Sequence, residues 1–502
     1  MATEGKLIRF IIKHIEDIDM RALADMAPTT IYIYDLNHLG MAWLKDLEKQ
    51  FPLKPYYCGR RSNGTVYYSV TGSVQSPCCN AIYFNNVIFR DYQALIGKSV
   101  DFKTDMEALG YIISNCQRRH DEAPTTPKVI CDYQIDQLKR RNKWTDDTRF
   151  LNAMCRATRP GSIYIGETGA FVNELHWDMH QAYANTLETK FYPSYFEKPH
   201  YTKDAATLDV NLSIRHVHGY VRLKPNGYPF IMASSSKTSQ LSSGAQWTNY
   251  NERYEIDEWF TSPGYKTLAD NYETAELETL EGYWWQSKVT NIGKKYFDNM
   301  YQMRSHPNRA IKAFAKLAGE YPAGLFQQMK TKGTKLWLDL EGETIDEKGK
   351  PQLYNPMVGA FMTDYQRLEL SRMAQMFPRQ HVLGWDTDAI HLVGVTPEQL
   401  FKKMPQLKEF EGPNMGQWHI DTVFTNSYHF AAKQYYGITP DGEFVGKLAG
   451  VPDGDVVGAK HSCGWSLRDI IVTKTEWSME SKNYMQKQLT AEDCIAKEKI
   501  YA

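Results

Sequence analysis

The sequence predicts an α+β fold, and three observations carry that expectation. Residues 381–394, His-Val-Leu-Gly-Trp-Asp-Thr-Asp-Ala-Ile-His-Leu-Val-Gly, put apolar residues on both sides of Asp386-Thr387-Asp388 and end on Gly394. That is the pattern of two buried strands joined by a tight turn. Residues 174–187 start as a strand leading into Asp178, then change period, with Met179, Tyr183 and Leu187 recurring every four residues as on a helix. The chain, at 502 residues, can bury a large core and by length divides into about three domains, with no short repeat or low-complexity linker between them.

The acidic residues at these strand ends need a physical reason. Side chains alternate along a strand, so Asp386 and Asp388 are expected to share one face while Thr387 points away. Like charges so placed repel, and burial raises the cost of each, so divalent cations are the simplest stabiliser. An exposed Asx turn at 386–388 and an N-cap at Asp178 are the plainer alternatives. Three aspartates on adjacent strand ends favour the first reading: they supply hard oxygen ligands for two Mg2+ ions held roughly 3.5–4 Å apart.

Asp178-x-x-x-x-Tyr183 resembles motif A of family B DNA polymerases, and Trp385-Asp-Thr-Asp388 resembles their motif C. The order of the remaining motifs is similar to the protein-primed branch of small tailed bacteriophages, best over residues 155–450. The resemblance implies a right-hand polymerase with palm, fingers and thumb behind an N-terminal exonuclease-like α/β domain. It implies a degenerate exonuclease-like domain over 1–150, palm with motif A over 151–190, and palm continuation with a first insertion over 191–290. Fingers with motif B follow over 291–329, a second insertion over 330–353, palm with motif C over 354–428, and a Lys-x-Tyr motif, thumb and tail over 429–502.

Taken in order, residues 28–46 read as a strand running into a helix. They resemble the family's second exonuclease motif, but Asp35 takes the asparagine position and Leu39 that of the metal-binding aspartate. Asp132 resembles the third motif's acid, and the first motif's Asp-x-Glu has no counterpart. One carboxylate cannot assemble a two-metal hydrolytic site, so an exonuclease fold without catalysis is expected; an unrelated α/β domain is the alternative. The basic run 139–143 is either a solvated helix face or a nucleic-acid contact. Thr158-Arg159-Pro160-Gly161 stands where the family has a template-touching Tyr-x-Gly-Gly, so Arg159 and Gly161 are template candidates by resemblance.

The insertion at about 190–290 carries strands such as residues 216–223 and a Ser/Gly-rich loop at 234–244. In the protein-primed branch an insertion of this size contacts the priming protein. Lys312 and Lys316 are four apart and share one face of a predicted helix; Arg304 joins them only if the preceding segment points that way. The resemblance makes these three the triphosphate-binding residues. Glu320, Tyr321, Ala323 and Gly324 fill the places of the family's Asn-Ser-x-Tyr-Gly, leaving Tyr321 to pack on the nucleotide. Residues 330–353 include a hairpin-like segment at 346–351, in the place of an insertion that encircles DNA during strand displacement. A helix over 354–367 leads into the acidic hairpin, and Lys433-Gln-Tyr435 resembles the Lys-x-Tyr motif that holds the primer terminus, with Thr387 beside it.

The resemblance therefore implies a template-directed DNA polymerase using two Mg2+ ions, with Mn2+ able to substitute. Asp178 and Asp386 would bind both ions, Asp388 would support them and the Met179 carbonyl would add a ligand. Tyr183 would close the sugar pocket against a 2′-hydroxyl. Primer and template DNA, dNTPs and a terminal (priming) protein are the implied partners. A polymerase-derived nucleotidyltransferase without templating, or a non-catalytic nucleic-acid-binding scaffold, is the alternative.

Composition narrows the class less. A net charge of −1 leaves any DNA surface to local basic patches. The eight scattered cysteines fit neither a disulfide scaffold nor a zinc ribbon, and Cys116 with His120 lacks a second pair at zinc spacing. No leader pattern and no 18-residue apolar run occur, so no membrane partner and a cytoplasmic location, host cytoplasm if viral, are expected.

Overall fold

In the computed structural model the described residues are in the main 147–230, 253–330 and 356–448, with strands and a few helical positions before residue 147 and two strands after residue 471. Asp35, Leu39, Asp132, the basic run 139–143, the loop 234–244 and the hairpin-like segment 346–351 lie outside them. The chain divides into two units: one formed by residues 1–136, 295–322 and 475–486, the other by the rest.

In the first unit, β1 (Arg9–Ile12), β2 (Thr29–Ile33), β3 (Tyr56–Arg60), β4 (Val66–Ser69), β5 (Cys79–Phe84) and β6 (Val87–Asp91) form one sheet in the order β1-β2-β6-β5-β3-β4. Strands β1, β2 and β6 run parallel, and the other pairings are antiparallel. The strand expected in residues 28–46 is β2.

The second unit holds the larger sheet. Strands β7 (Ile163–Ile165) and β8 (Gly169–Met179) come from one part of the chain. A four-stranded antiparallel sheet follows within the expected insertion, formed by β9 (His200–Thr202), β10 (Leu212–Leu223), β11 (Arg253–Thr261) and β12 (Tyr272–Trp285) in the order β9-β12-β10-β11. Then come β13 (Val382–Asp386), β14 (Ala389–Leu392), β15 (Trp418–Ala431), β16 (Gln434–Ile438) and β17 (Phe444–Leu448). The seven-stranded order is β17-β16-β15-β8-β14-β13-β7, antiparallel throughout.

Period-two patterning decides which face is buried. Leu175, Trp177 and Met179 on β8, Trp385 on β13, Ile390 and Leu392 on β14 and Trp418 on β15 all enter one core, with Leu370, Met373, Ala374 and Phe377 packed against them. Of the helices α1 (Thr148–Ala157), α2 (Ala182–Thr189), α3 (Ser262–Asn271), α4 (Lys294–Arg304), α5 (Arg309–Gln327) and α6 (Pro356–Met376), the last supplies the first three of those residues. Val217, Val221, Ile256 and Phe260 of the smaller sheet pack with Leu268 of α3.

Helix α6 is buried on nearly every side and carries Asp364 and Arg367 inside, so those charges need partners. Arg367 pairs with Asp364, and the Thr261 hydroxyl donates to Asp364 Oδ2 at 2.6 Å. Arg159 completes the network, 3.9 Å from Asp364, with its Nη2 donating to the Trp259 carbonyl at 2.7 Å and its guanidinium over the Phe260 ring at 4.0 Å. This corrects the expectation for Arg159. With 2% of its surface exposed it ties strand β11 to helix α6 and cannot touch a template.

No helix among the described residues is long and apolar enough to cross a membrane.

Candidate active site

The core tryptophans set the site on the opposite face. Trp177 and Trp385 point into the core, so their neighbours Asp178 and Asp386 point away from it, and the residue after Trp418, His419, does the same. In the ladder, Asp178 lies opposite Ala389, and Ala389 lies opposite Asp386. Directly opposed residues share a face, so the two carboxylates stand across one intervening strand, roughly 10 Å apart at Cα. Ala389 between them is small enough to leave the space open.

The hairpin that presents Asp386 differs from the simple alternation expected of it. Thr387 adopts a left-handed φ of 63°, and strand pairing resumes only at Ala389, so Asp388 is a turn residue. Its N–H donates to the Asp386 carbonyl at 2.6 Å, and its own carbonyl accepts from the Met179 N–H at 3.0 Å. Met179 thus holds the turn against the end of β8. On the other side the Thr387 N–H donates to the Ser162 carbonyl at 2.8 Å, and the Trp385 indole N–H donates to Ser162 Oγ at 2.9 Å. The Trp385 ring also stacks on Phe230 at 4.0 Å. Gly161 fits under this turn for lack of a side chain: a Cβ there would lie 2.9 Å from Thr387 Cγ2 and 2.9 Å from the Tyr183 hydroxyl.

Asp386 is buried, which pushes its pKa up, yet the net shift is downward because Lys433 and Lys447 outweigh the burial. Lys433 Nζ lies 2.8 Å from Oδ1 and Lys447 Nζ 3.6 Å from Oδ2. Lys433 reaches it from the β15–β16 turn, where it takes a left-handed φ of 60°. Lys447, on β17, carried no signal in the sequence.

Tyr183, the second residue of α2, is held protonated, chiefly by burial and then by the charges of Asp388 and, more weakly, Asp386. Its hydroxyl and the Thr387 side chain both border the space that a Gly161 Cβ would take. Tyr435 is different: it is 8% exposed, with its ring stacked on His429 at 5.0 Å, so it is a wall of the core and cannot also lie against a primer sugar. The expectation for that ring is corrected; Lys433, two residues earlier, stays at the site.

The expected cationic row belongs to the first unit. Asn308 caps α5, its side-chain oxygen accepting from the Ala310 N–H at 2.9 Å. Ile311, Phe314, Ala315 and Ala318 bury one face and leave Lys312, Lys316 and Glu320 on an exposed stripe. Arg304 ends the separate helix α4, so it is not on the lysines' helix, and Tyr321 is half-buried beside Pro322, which sits inside α5.

The expectations drawn from the sequence did not include a second group. Glu174 and His176 lie on the same face of β8 as Asp178, and with His391 and His429 they form a buried cluster behind it. The signal was present in the two-residue spacing of Glu174, His176 and Asp178.

The sequence matches no family model and no curated protein. The fold, however, is an α+β polymerase fold. It is shared with Phi29 DNA polymerase. In complex with primer-template DNA and incoming nucleotides, that enzyme superposes with a TM-score of 0.66 at 16% identity, over 95% of this chain and 93% of that one. Its post-translocation binary complex with primer-template DNA gives 0.62 at 15% identity, and an orthorhombic crystal form gives 0.61 at 15%, each over 95% and 93% of the two chains. At these identities the likeness is one of fold.

Proposed function

We propose that this chain is a DNA-directed DNA polymerase that extends a primer by two-metal nucleotidyl transfer and starts from the hydroxyl of a priming protein. The observation that carries the reading is the pair Asp178 and Asp386 facing each other across Ala389, in a polymerase fold. The donors fit Mg2+: they are carboxylate oxygens, and the ionised state of Asp386 already draws two ammonium groups. Asp178 and Asp386 would hold the ions, with Asp388 in support. Bound there, Mg2+ would stabilise the attacking and leaving oxygens of phosphoryl transfer.

The chain's own residues supply position. A primer 3′-hydroxyl held between the carboxylates bonds to the α-phosphorus of a dNTP as the bond to pyrophosphate breaks. Tyr183, whose hydroxyl borders the turn at Gly161, would fill the space that a 2′-hydroxyl takes. Lys433 and Lys447 keep Asp386 ionised until DNA and nucleotide bind, and Lys433 then serves a primer phosphate. Lys312 and Lys316 present an exposed cationic stripe suited to a triphosphate. The priming protein is supported by the insertion at 190–290, which builds a four-stranded sheet of its own.

Primer extension with each dNTP separately tests this. Only the nucleotide complementary to the template should be added, and only with Mg2+ or Mn2+. Addition independent of template would leave a nucleotidyltransferase; no addition would leave a binding scaffold. Asp386→Asn should reduce incorporation at least about a thousandfold while DNA affinity changes little.

A further inference from the structure

One row behind the acidic residues, the sheet holds charge and imidazole that the polymerase reading does not use. Glu174 is wholly buried, and three histidines from three adjacent strands aim ring nitrogens at its carboxylate. His176 Nε2 lies 2.8 Å from Oε1, His391 Nδ1 lies 3.1 Å from the same oxygen, and His429 Nε2 lies 2.9 Å from both oxygens. The histidines are 5%, 5% and 2% exposed.

As a hydrogen-bond network this is overfilled. Three nitrogens converge on one oxygen that has two lone pairs. Burial presses Glu174 upward, but the bonds from His176, His391 and His429 outweigh it and hold it ionised. A carboxylate in the core without a cation is costly.

The spacing suits an ion. The donor atoms of Glu174, His391 and His429 all lie within 4.8 Å of one another, and the edge of a tetrahedron around a cation at zinc distances is about 3.3–3.5 Å. The donors are imidazole nitrogens and one carboxylate, a set that prefers zinc and its neighbours to magnesium. The surroundings are dry: the Tyr435 ring lies 5.0–5.4 Å from all three imidazoles, with Phe424 beside His176.

We propose that Glu174, His391 and His429 form a binding site for one zinc-class transition-metal cation, separate from the acidic site. The ion clamps β8, β14 and β15, the strands that carry Asp178, the turn of Asp388 and the approach to Lys433. Its role is to hold the carboxylate row in register, and no reacting atom touches it.

The test uses the full chain, stripped with a chelator, reloaded with Zn2+ in excess Mg2+ and freed of loose metal by gel filtration. Elemental analysis should find about one zinc per chain. Glu174→Gln and His429→Gln, each checked for folding by circular dichroism, should weaken zinc binding by about a hundredfold or more. Asp386→Asn should keep its zinc, which separates this site from the polymerase reading. X-ray absorption at the zinc edge of the unaltered chain decides the matter even if both ligand variants fail to fold: a shell with at least two imidazoles is expected. A folded chain that binds no zinc, an all-oxygen shell, or zinc lost with Asp386→Asn and kept in His429→Gln would each overturn the proposal.

Discussion

Adding one methyl group at Gly161 should slow the reaction without weakening DNA binding. A Cβ at this position meets Thr387 Cγ2 at 2.9 Å, the Tyr183 hydroxyl at 2.9 Å and Thr387 Oγ1 at 3.0 Å. Carbon contacts are comfortable at about 3.5–4.0 Å, so turn and ring must together give way by about half an ångström or more. Overpacking of this kind costs about 1–3 kcal/mol. The kinetic effect is larger in proportion, because Thr387 lies between the two turn carboxylates, and a misplacement of about 1 Å is worth about a hundredfold in rate. Gly161→Ala should therefore lose about ten- to a hundredfold in kcat for a correct dNTP, with primer-template affinity unchanged. Single-turnover incorporation, a DNA titration and a thermal melt read the three quantities. Gly161→Ala with Thr387→Ser removes the clashing Cγ2 and should recover part of the rate. A single variant with the parental rate and melting temperature would refute the packing argument and the placement of the turn over Gly161.

Tyr183→Val should admit ribonucleotides, read as the ratio of kcat/KM for a dNTP and its rNTP; equal discrimination in both proteins would make the ring a core residue only. Arg159→Met should cost about 1–3 kcal/mol in urea unfolding, because the Trp259 carbonyl and Asp364 lose a buried donor, and should leave DNA affinity unaltered. A fall in affinity at unchanged stability would return Arg159 to the template. A 3′-mismatched primer incubated with Mg2+ and no dNTP should stay full length if, as the resemblance implies, Leu39 takes the place of a metal ligand and Asp132 is the one carboxylate left. Shortening that depends on Asp132 and not on Asp386 would contradict it.

What could be read from the sequence was local. Trp177-Asp178 and Trp385-Asp386 announce their geometry because a strand gives neighbouring residues opposite faces, so a large apolar residue beside an acid fixes where the acid points. The two buried strands of residues 381–394 and the helix before them were legible for the same reason. What was not legible depends on partners far along the chain. Arg159 was a template candidate by resemblance, and Asp364, which pairs with it, is on another element. Tyr435 looked like a primer contact because the histidines around it come from three other strands. Thr387 escaped the alternation because its left-handed φ is a property of the turn, which Asp-Thr-Asp permits without requiring.

The strand order of the large sheet also bears on how the protein comes to exist. Strand β8 sits at the sheet's middle, and both its neighbours, β14 and β15, are drawn from beyond residue 388. A chain leaving the ribosome therefore presents Trp177 and two unpaired strand edges for as long as it takes to make residues 180–392, about 11–43 s at 5–20 residues per second. Such non-local pairing folds slowly and leaves an edge open to other chains in the meantime. Nascent chains released before residue 389 hold the first acid but neither flanking strand. They should aggregate, and a co-expressed chaperone should raise the yield of folded chain.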